Sequence, residues 1–331
     1  MVRFLDVAKN IEAFHGKKME EIFKEEITKR NFLESLNAEE FEGLISGVNG
    51  ILRKKEKKDW GMDGGAVALV PGAQNPDSAV IPPREGDKSG LFKKLYEGMK
   101  TMIEDERNID DIALLLSSGI NEVHSYGDAN GRTSRLIYTL LTENFDDAGK
   151  ERVKNVLSEY GSFYVDINPG FIGSERNDII HSEVGMNDPL RNPENITNLF
   201  NLSWDEMPFQ NEVTDDMKRS FKDICRDSRH GLYAAFKLIS KLPNRDSFLK
   251  AYDGRSVIII EELAKLNKDQ MSELIEEYWA LKRRLAEILI DLIVNPGKPE
   301  YQIEMEEGKM SLLEYFKTII KREQARNKEL L

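Results

Sequence analysis

The sequence is short of the features that mark secreted, membrane or nucleic-acid-binding chains. One residue in 331 is a cysteine, Cys225. A single thiol makes no internal disulfide, which predicts a reducing, cytoplasmic setting. Basic residues are outnumbered, 47 Lys and Arg against 59 Asp and Glu, for a net charge of −12. That balance excludes a nucleic-acid backbone as the main partner, although a small nucleotide needs only a few local cations. Long apolar runs are missing: the best, Leu285 to Val294, is broken by Glu287 and Asp291 and is too short for a membrane span. The start, Met1-Val2-Arg3-Phe4-Leu5-Asp6, lacks an apolar signal region, so export would need a route the sequence does not advertise. His15, His181 and His230 have no ligand spacing with one another. No internal repeat is visible.

What is present is helical periodicity. Phe4, Val7, Ala8, Ile11 and Phe14 recur at steps of three and four, as do Phe41, Leu44, Ile45, Val48 and Leu52. The basic run Arg53 to Lys58 then reads as a solvated helix end. Glycines and prolines from Gly61 to Pro83 punctuate two short apolar stretches, Ala66 to Val70 and Ser78 to Ile81, the one good hairpin candidate. A helix capped by Asp87 or Ser89 carries Leu91, Phe92, Leu95 and Met99. Asn108 is placed to cap the next, with Ile109, Ile112, Ala113, Leu116, Ile120 and Val123 on one broad face. Leu136, Ile137, Leu140 and Leu141 continue the pattern. Val153, Leu157 and Tyr160 predict a short helix, and residues 161 to 213 are irregular. Helices return over Met217 to Ile239, Asp246 to Tyr252, Val257 to Leu266 and Lys268 to about Val294. In the last, Leu274, Tyr278, Leu281, Leu285, Ile288 and Leu292 form a stripe. Tyr301 to Met305 with Gly308 reads as a short strand or wing, and a final helix carries Leu312, Leu313, Phe316 and Ile320. The fold class is therefore mainly α, divided as N-terminal helices 1–60, a core 61–213 and a C-terminal helical region 214–331.

Between two of these helices the chain reads His124-Ser125-Tyr126-Gly127-Asp128-Ala129-Asn130-Gly131-Arg132-Thr133-Ser134-Arg135. A turn leading straight into a helix aims backbone N–H groups one way, which makes an anion site. Arg132 and Arg135 stand at that helix start, where a cation is unfavourable unless an anion sits there too. Asp128 beside a polyphosphate is placed to hold Mg²⁺. His124 is placed to take a proton from an attacking hydroxyl.

Through these residues the chain resembles the Fic family, whose signature is His-Pro-Phe-x-Asp/Glu-Gly-Asn-Gly-Arg-x-x-Arg. His124, Asp128, Asn130, Gly131, Arg132 and Arg135 match it at the right spacing. The resemblance covers residues 60 to 160 and implies a Fic-type helical domain with a β-hairpin flap. It implies protein AMPylation: AMP passes from ATP to a Ser, Thr or Tyr hydroxyl of a target protein. His124 is then the base and Asp128 the Mg²⁺ ligand, while Ala129, Asn130, Gly131, Arg132 and Arg135 surround the phosphates. Ala66, Val67, Ala68, Leu69 and Val70 would hold an extended target segment by strand addition.

Three positions depart from the signature. Ser125 replaces proline, Tyr126 replaces phenylalanine, and Ala129 replaces the first glycine, bringing a Cβ close to where phosphates lie. Alanine there also occurs in Doc-type phosphotransferase toxins and in phosphocholine transferases, whereas Gly131 keeps to the main branch. Alternatives are thus transfer of phosphate or phosphocholine, AMP removal at the same site, or a scaffold that binds nucleotide without turnover. Thr139 to Asn144 formally fits the family's inhibitory motif but lies on the helix leaving the loop, so any regulator is expected to act in trans.

Overall fold

The computed structural model describes residues 9–13, 16–64, 68–69, 79–144, 213–226, 266–305, 308–315 and 317–318. Within them the chain is mainly helical, as the spacing predicts. Its contacts divide it into two compact units. One comprises Met1–Ala66, Pro83–Pro169 and Leu285–Leu331; the other comprises Val67–Pro82 and Gly170–Arg284.

The first unit carries α1 (Met19–Ile22), α2 (Glu26–Ser35), α3 (Ala38–Leu52), α4 (Glu85–Glu104), α5 (Ile109–Val123) and α6 (Asn130–Thr142). Local chemistry sets their starts. Asn37 and Glu40 form a reciprocal capping box at α3, each bond 2.9 Å. Asn108 caps α5 by accepting from the Asp111 amide at 2.7 Å. Helix α4 begins at Glu85, ahead of both predicted caps, and Arg84 at its N-cap makes no side-chain bond. Glu85 and Asp87 in the first turn suit the helix dipole in place of a cap.

Helix α5 packs against α4 and α6, and α3 packs on both of these. Ile112, Ala113, Leu115, Leu116, Ile120 and Val123 are buried between them, joined by Phe41, Ile45, Val48, Leu95, Met99, Leu136 and Leu140. Burying each large apolar side chain contributes about 1.5–3 kcal/mol. The helices meet closely: a Cβ on Gly119 of α5 would lie 2.4 Å from Leu95 Cδ1 of α4. On α3 the Trp60 ring lies so near Gly50 that a Cβ there would come within 2.2 Å of it.

The second unit contains β1 (Ala68–Leu69), β2 (Ala79–Val80), α7 (Asp215–Arg226) and the first part of α8 (Lys268–Val294). Strands β1 and β2 pair antiparallel, Ala68 with Val80 and Leu69 with Ala79, so the predicted hairpin forms. Helix α8 has the predicted bounds, and Leu274, Tyr278, Leu285 and Leu292 of the predicted stripe are buried. Leu281 and Ile288 are half-buried, while Lys282, Ala286 and Leu289 widen the buried face. Its last turns belong to the first unit, where Glu287 pairs with Lys94 at 3.1 Å. There too lies a second hairpin, β3 (Gln302–Met305) with β4 (Gly308–Ser311). The sequence reads this segment only as a strand or wing, because Gly308 is its sole turn signal. Among the described residues no helix is long and apolar enough to cross a membrane. Ala66, Val67, Val70, the predicted helices over 153–160, 246–252 and 257–265, and the tail from 321 lie outside the described residues.

Candidate functional site

The twelve-residue segment closes α5 and opens α6, and both junctions are left-handed. His124 is the C-cap of α5 with φ 50° and ψ 51°, its N–H bonded to Ile120 O at 3.1 Å. Ala129 is the N-cap of α6 with φ 64° and ψ 13°. Glycine usually fills such positions, and a residue with a Cβ gives up about 1–2 kcal/mol there. The described chain has four non-glycine residues at positive φ, and two of them bracket this loop. Strain concentrated at one loop needs surroundings that impose it.

Those surroundings are specific. The Tyr126 ring is 0 % exposed, with its hydroxyl 3.1 Å from Ser46 Oγ on α3. Burial pushes the Tyr126 phenol well above its ordinary value, outweighing the Ser46 hydrogen bond, so it stays protonated. Asn130 clamps the same residue: its Oδ1 accepts from the Tyr126 amide at 3.1 Å and its Nδ2 donates to the Tyr126 carbonyl at 2.5 Å. From α3, Asn49 Nδ2 donates to the Asp128 carbonyl at 3.0 Å and to Thr133 Oγ1 at 3.1 Å. The Gly127 amide donates to Asp63 at 2.8 Å. Asp63 in turn takes Arg53 at 2.8 Å and Lys55 at 2.7 Å. Burial opposes its charge, but hydrogen bonds from Arg53, Lys55 and Gly127 outweigh burial and hold Asp63 far below the usual carboxylate range. The basic run after α3 is thus no mere solvated helix end, since two of its members brace the loop through Asp63.

Of the remaining groups Asp128 is exposed, while His124, Gly131, Arg132 and Arg135 are half-buried. Asp128 has its side chain 71 % exposed and pairs with Arg132 at 2.9 Å. This exposed pair is worth about 1 kcal/mol at most, so competing ions open it readily. Asp128 Oδ1 also accepts from the Ala129 amide at 2.6 Å. Gly131 faces Arg135, whose guanidinium would lie 3.3 Å from a Cβ at 131. No side chain caps α6, and its first turn holds no acid. The half-buried His124 ring places Nδ1 3.3 Å from Asn121 O. A proton on Nδ1 donates to that carbonyl and leaves Nε2 as the lone pair.

As a donor set for a hard cation the loop offers one carboxylate, Asp128. Mg²⁺ commonly takes one or two and completes its shell with phosphate and water, so Asp128 fits as a partial ligand. Among the described residues no group of three or more His, Cys, Asp and Glu gathers as a metal cluster, so phosphates would have to supply the rest.

The structure therefore joins Asp128 with Arg132, and Gly131 with Arg135. It gives the Asn130 amide to Tyr126 instead of an outward-facing place. Ala68 and Leu69 lie in β1. A cavity of about 580 Å³ opens beside α3, lined by Phe41, Ser46, Trp60, Phe92 and Tyr96 among others, and no residue of the 124–135 segment lines it. Sequence reasoning missed Ser46, Asn49, Asp63 and Lys88, the residues that hold the loop. Two carry a signal in hindsight: Ser46 and Asn49 are polar positions beside the apolar stripe of α3. No family model matches this chain, and neither a curated protein nor a solved structure matches it significantly.

Proposed function

We propose that this loop binds the phosphates of ATP and that the protein transfers AMP to a Ser, Thr or Tyr hydroxyl of a target protein. One observation carries the reading: an uncapped helix start bearing two arginines follows, within one tight loop, a histidine whose Nδ1 is tied to a carbonyl. The resemblance to the Fic signature adds the reaction class.

In this reading His124 Nε2 accepts the proton of the target hydroxyl as its oxygen bonds to the α-phosphorus of ATP. The bond from that phosphorus to the bridging oxygen breaks, and pyrophosphate leaves with the electron pair. Arg132 and Arg135, with the first-turn amides of α6, bind the phosphate oxygens. Asp128 releases Arg132 to the phosphates and would hold Mg²⁺, which supplies charge neutralisation on the pyrophosphate. Asn130 serves through the backbone: by fixing Tyr126 it fixes the path from His124 to α6. The strands of the β1–β2 hairpin would supply an edge to an extended target segment.

The test is intact-mass analysis after incubation with Mg²⁺ and ATP, and separately with CDP-choline. An AMP increment on the protein or a partner, lost by at least about a hundredfold in His124→Ala, is the expected result. A phosphate or phosphocholine increment would transfer the mechanism to another leaving group, and would mark Ala129 as the better guide. Nucleotide binding by calorimetry with no increment anywhere would favour the scaffold reading. Labelling that survives His124→Ala would remove the base.

A further inference from the structure

We infer that Lys88, which lies outside the loop, is a positioning residue that holds His124 in its working orientation. The inference rests on the transferase reading only for its kinetic consequence; the contact stands on geometry. Lys88 sits in the first turn of α4 and is 3 % exposed. Its Nζ donates to the His124 carbonyl at 2.9 Å. A cation in the first turn of a helix opposes that helix's dipole, and a buried ammonium is costly. Lys88 meets both penalties, and it donates to the backbone of the residue proposed as base.

The contact acts on the backbone that aims the imidazole. His124 has left-handed φ, so its carbonyl does not continue the α5 ladder and needs a donor from elsewhere. Lys88 supplies it. Three residues on, the Gly127 amide is held by the Asp63 carboxylate at 2.8 Å. The turn is thereby gripped at a carbonyl by a cation and at an amide by an anion, each on a different stretch of chain. With Nδ1 already 3.3 Å from Asn121 O, these grips fix where Nε2 points.

The molecule holds its own control. Lys29 of α2 is 2 % exposed, and its Nζ donates to the Glu143 carbonyl just beyond α6 at 2.8 Å. It is the same chemistry, a buried lysine on the carbonyl at a helix end, away from the loop. A purely structural role for Lys88 therefore predicts equal behaviour of the two lysines.

The experiment compares the full-length protein with Lys88→Met, Lys88→Arg and Lys29→Met. For transfer from Mg·ATP, Lys88→Met lowers kcat by about tenfold or more, with KM for ATP within about threefold. Lys29→Met leaves both within about threefold, and Lys88→Arg recovers part of the loss. In parallel, the His124 Cε1–H proton resonance, assigned by its absence in His124→Ala, moves in Lys88→Met and stays in place in Lys29→Met. Equal kinetic losses in the two methionine variants, or an unmoved His124 resonance in Lys88→Met, would overturn the inference. If the wild-type protein transfers nothing, the transferase reading fails while the resonance still decides for or against Lys88. Should Lys88→Met not fold, Lys88→Leu, which likewise removes the donor, carries the same comparison.

Discussion

The two ends of α5 solve opposite problems. At its start Asn108 caps the first turn, Asp110 and Asp111 complement the dipole, and buried Asp111 is paired with Arg107 and Lys317. At its end, and across the loop to the start of α6, the cap is absent, the first turn is basic, two residues are left-handed, and a lysine is buried against a carbonyl. The first arrangement is what stability alone would select. The second gives stability up, and it does so where the chemistry is proposed to happen. A protein retains such a cost when the surroundings over-determine the geometry, which the contacts from Ser46, Asn49, Asp63 and Lys88 do.

The largest test of this contrast is the pH dependence of Lys88. Burial lowers its pKa from 10.5 to about 8, with Glu85 and Asp63 opposing the fall. Below pH 8 the ammonium is charged in both folded and unfolded chains and its burial cost is fully present. Between about 8 and 10.5 the unfolded chain binds more protons, so stability rises with pH. Relative to Lys88→Met, the wild-type protein should gain about 3 kcal/mol across that window. Parallel melting curves against pH would show that Lys88 carries no such cost.

A somewhat smaller effect separates the helix starts directly. At a hundredfold excess over its dissociation constant, Mg·ATP should stabilise the protein by about 2.7 kcal/mol. Asn108→Ala should cost about 1 kcal/mol in its own right yet leave that increment whole. Arg132→Ala should remove most of it at the same ATP concentration. Equal increments in the two variants would mean that the phosphates do not sit at α6.

The smallest expected change is at the left-handed N-cap. Ala129→Gly should raise stability by about 1 kcal/mol, because glycine adopts φ of 64° without a Cβ penalty. A lower melting temperature would show that the Ala129 methyl packs well enough to offset its strain.

How much of this was legible in the sequence follows from range. Helices α3 to α6 and α8 were readable because apolar spacing is local, and the α5 cap needed only Asn108 three residues before Asp111. The end of α5 at His124 was placed by the same logic, whereas Asn130-Gly131 reads as a turn and hid the start of α6 at Asn130, behind a left-handed Ala129. The supports were not, since Ser46, Asn49, Asp63 and Lys88 reach their loop partners across 36 to 84 positions. Nothing in the spacing says that the Arg53 to Lys58 run bends back on Asp63. Asn130 shows the opposite failure. Its amide reads as a ligand from its neighbours in sequence, but an amide with one acceptor and one donor edge suits the Tyr126 backbone equally well, and in the fold it is bonded there.

The loop's own alcohols are all sealed away. Ser125, Tyr126, Thr133 and Ser134 are buried, with Tyr126, Thr133 and Ser134 bonded to protein groups. An enzyme that activates hydroxyls through this segment would therefore meet none of its own at the point of greatest reactivity. Any mark it leaves on itself should map to peptides outside residues 124–135, and the acceptor must be brought in from elsewhere.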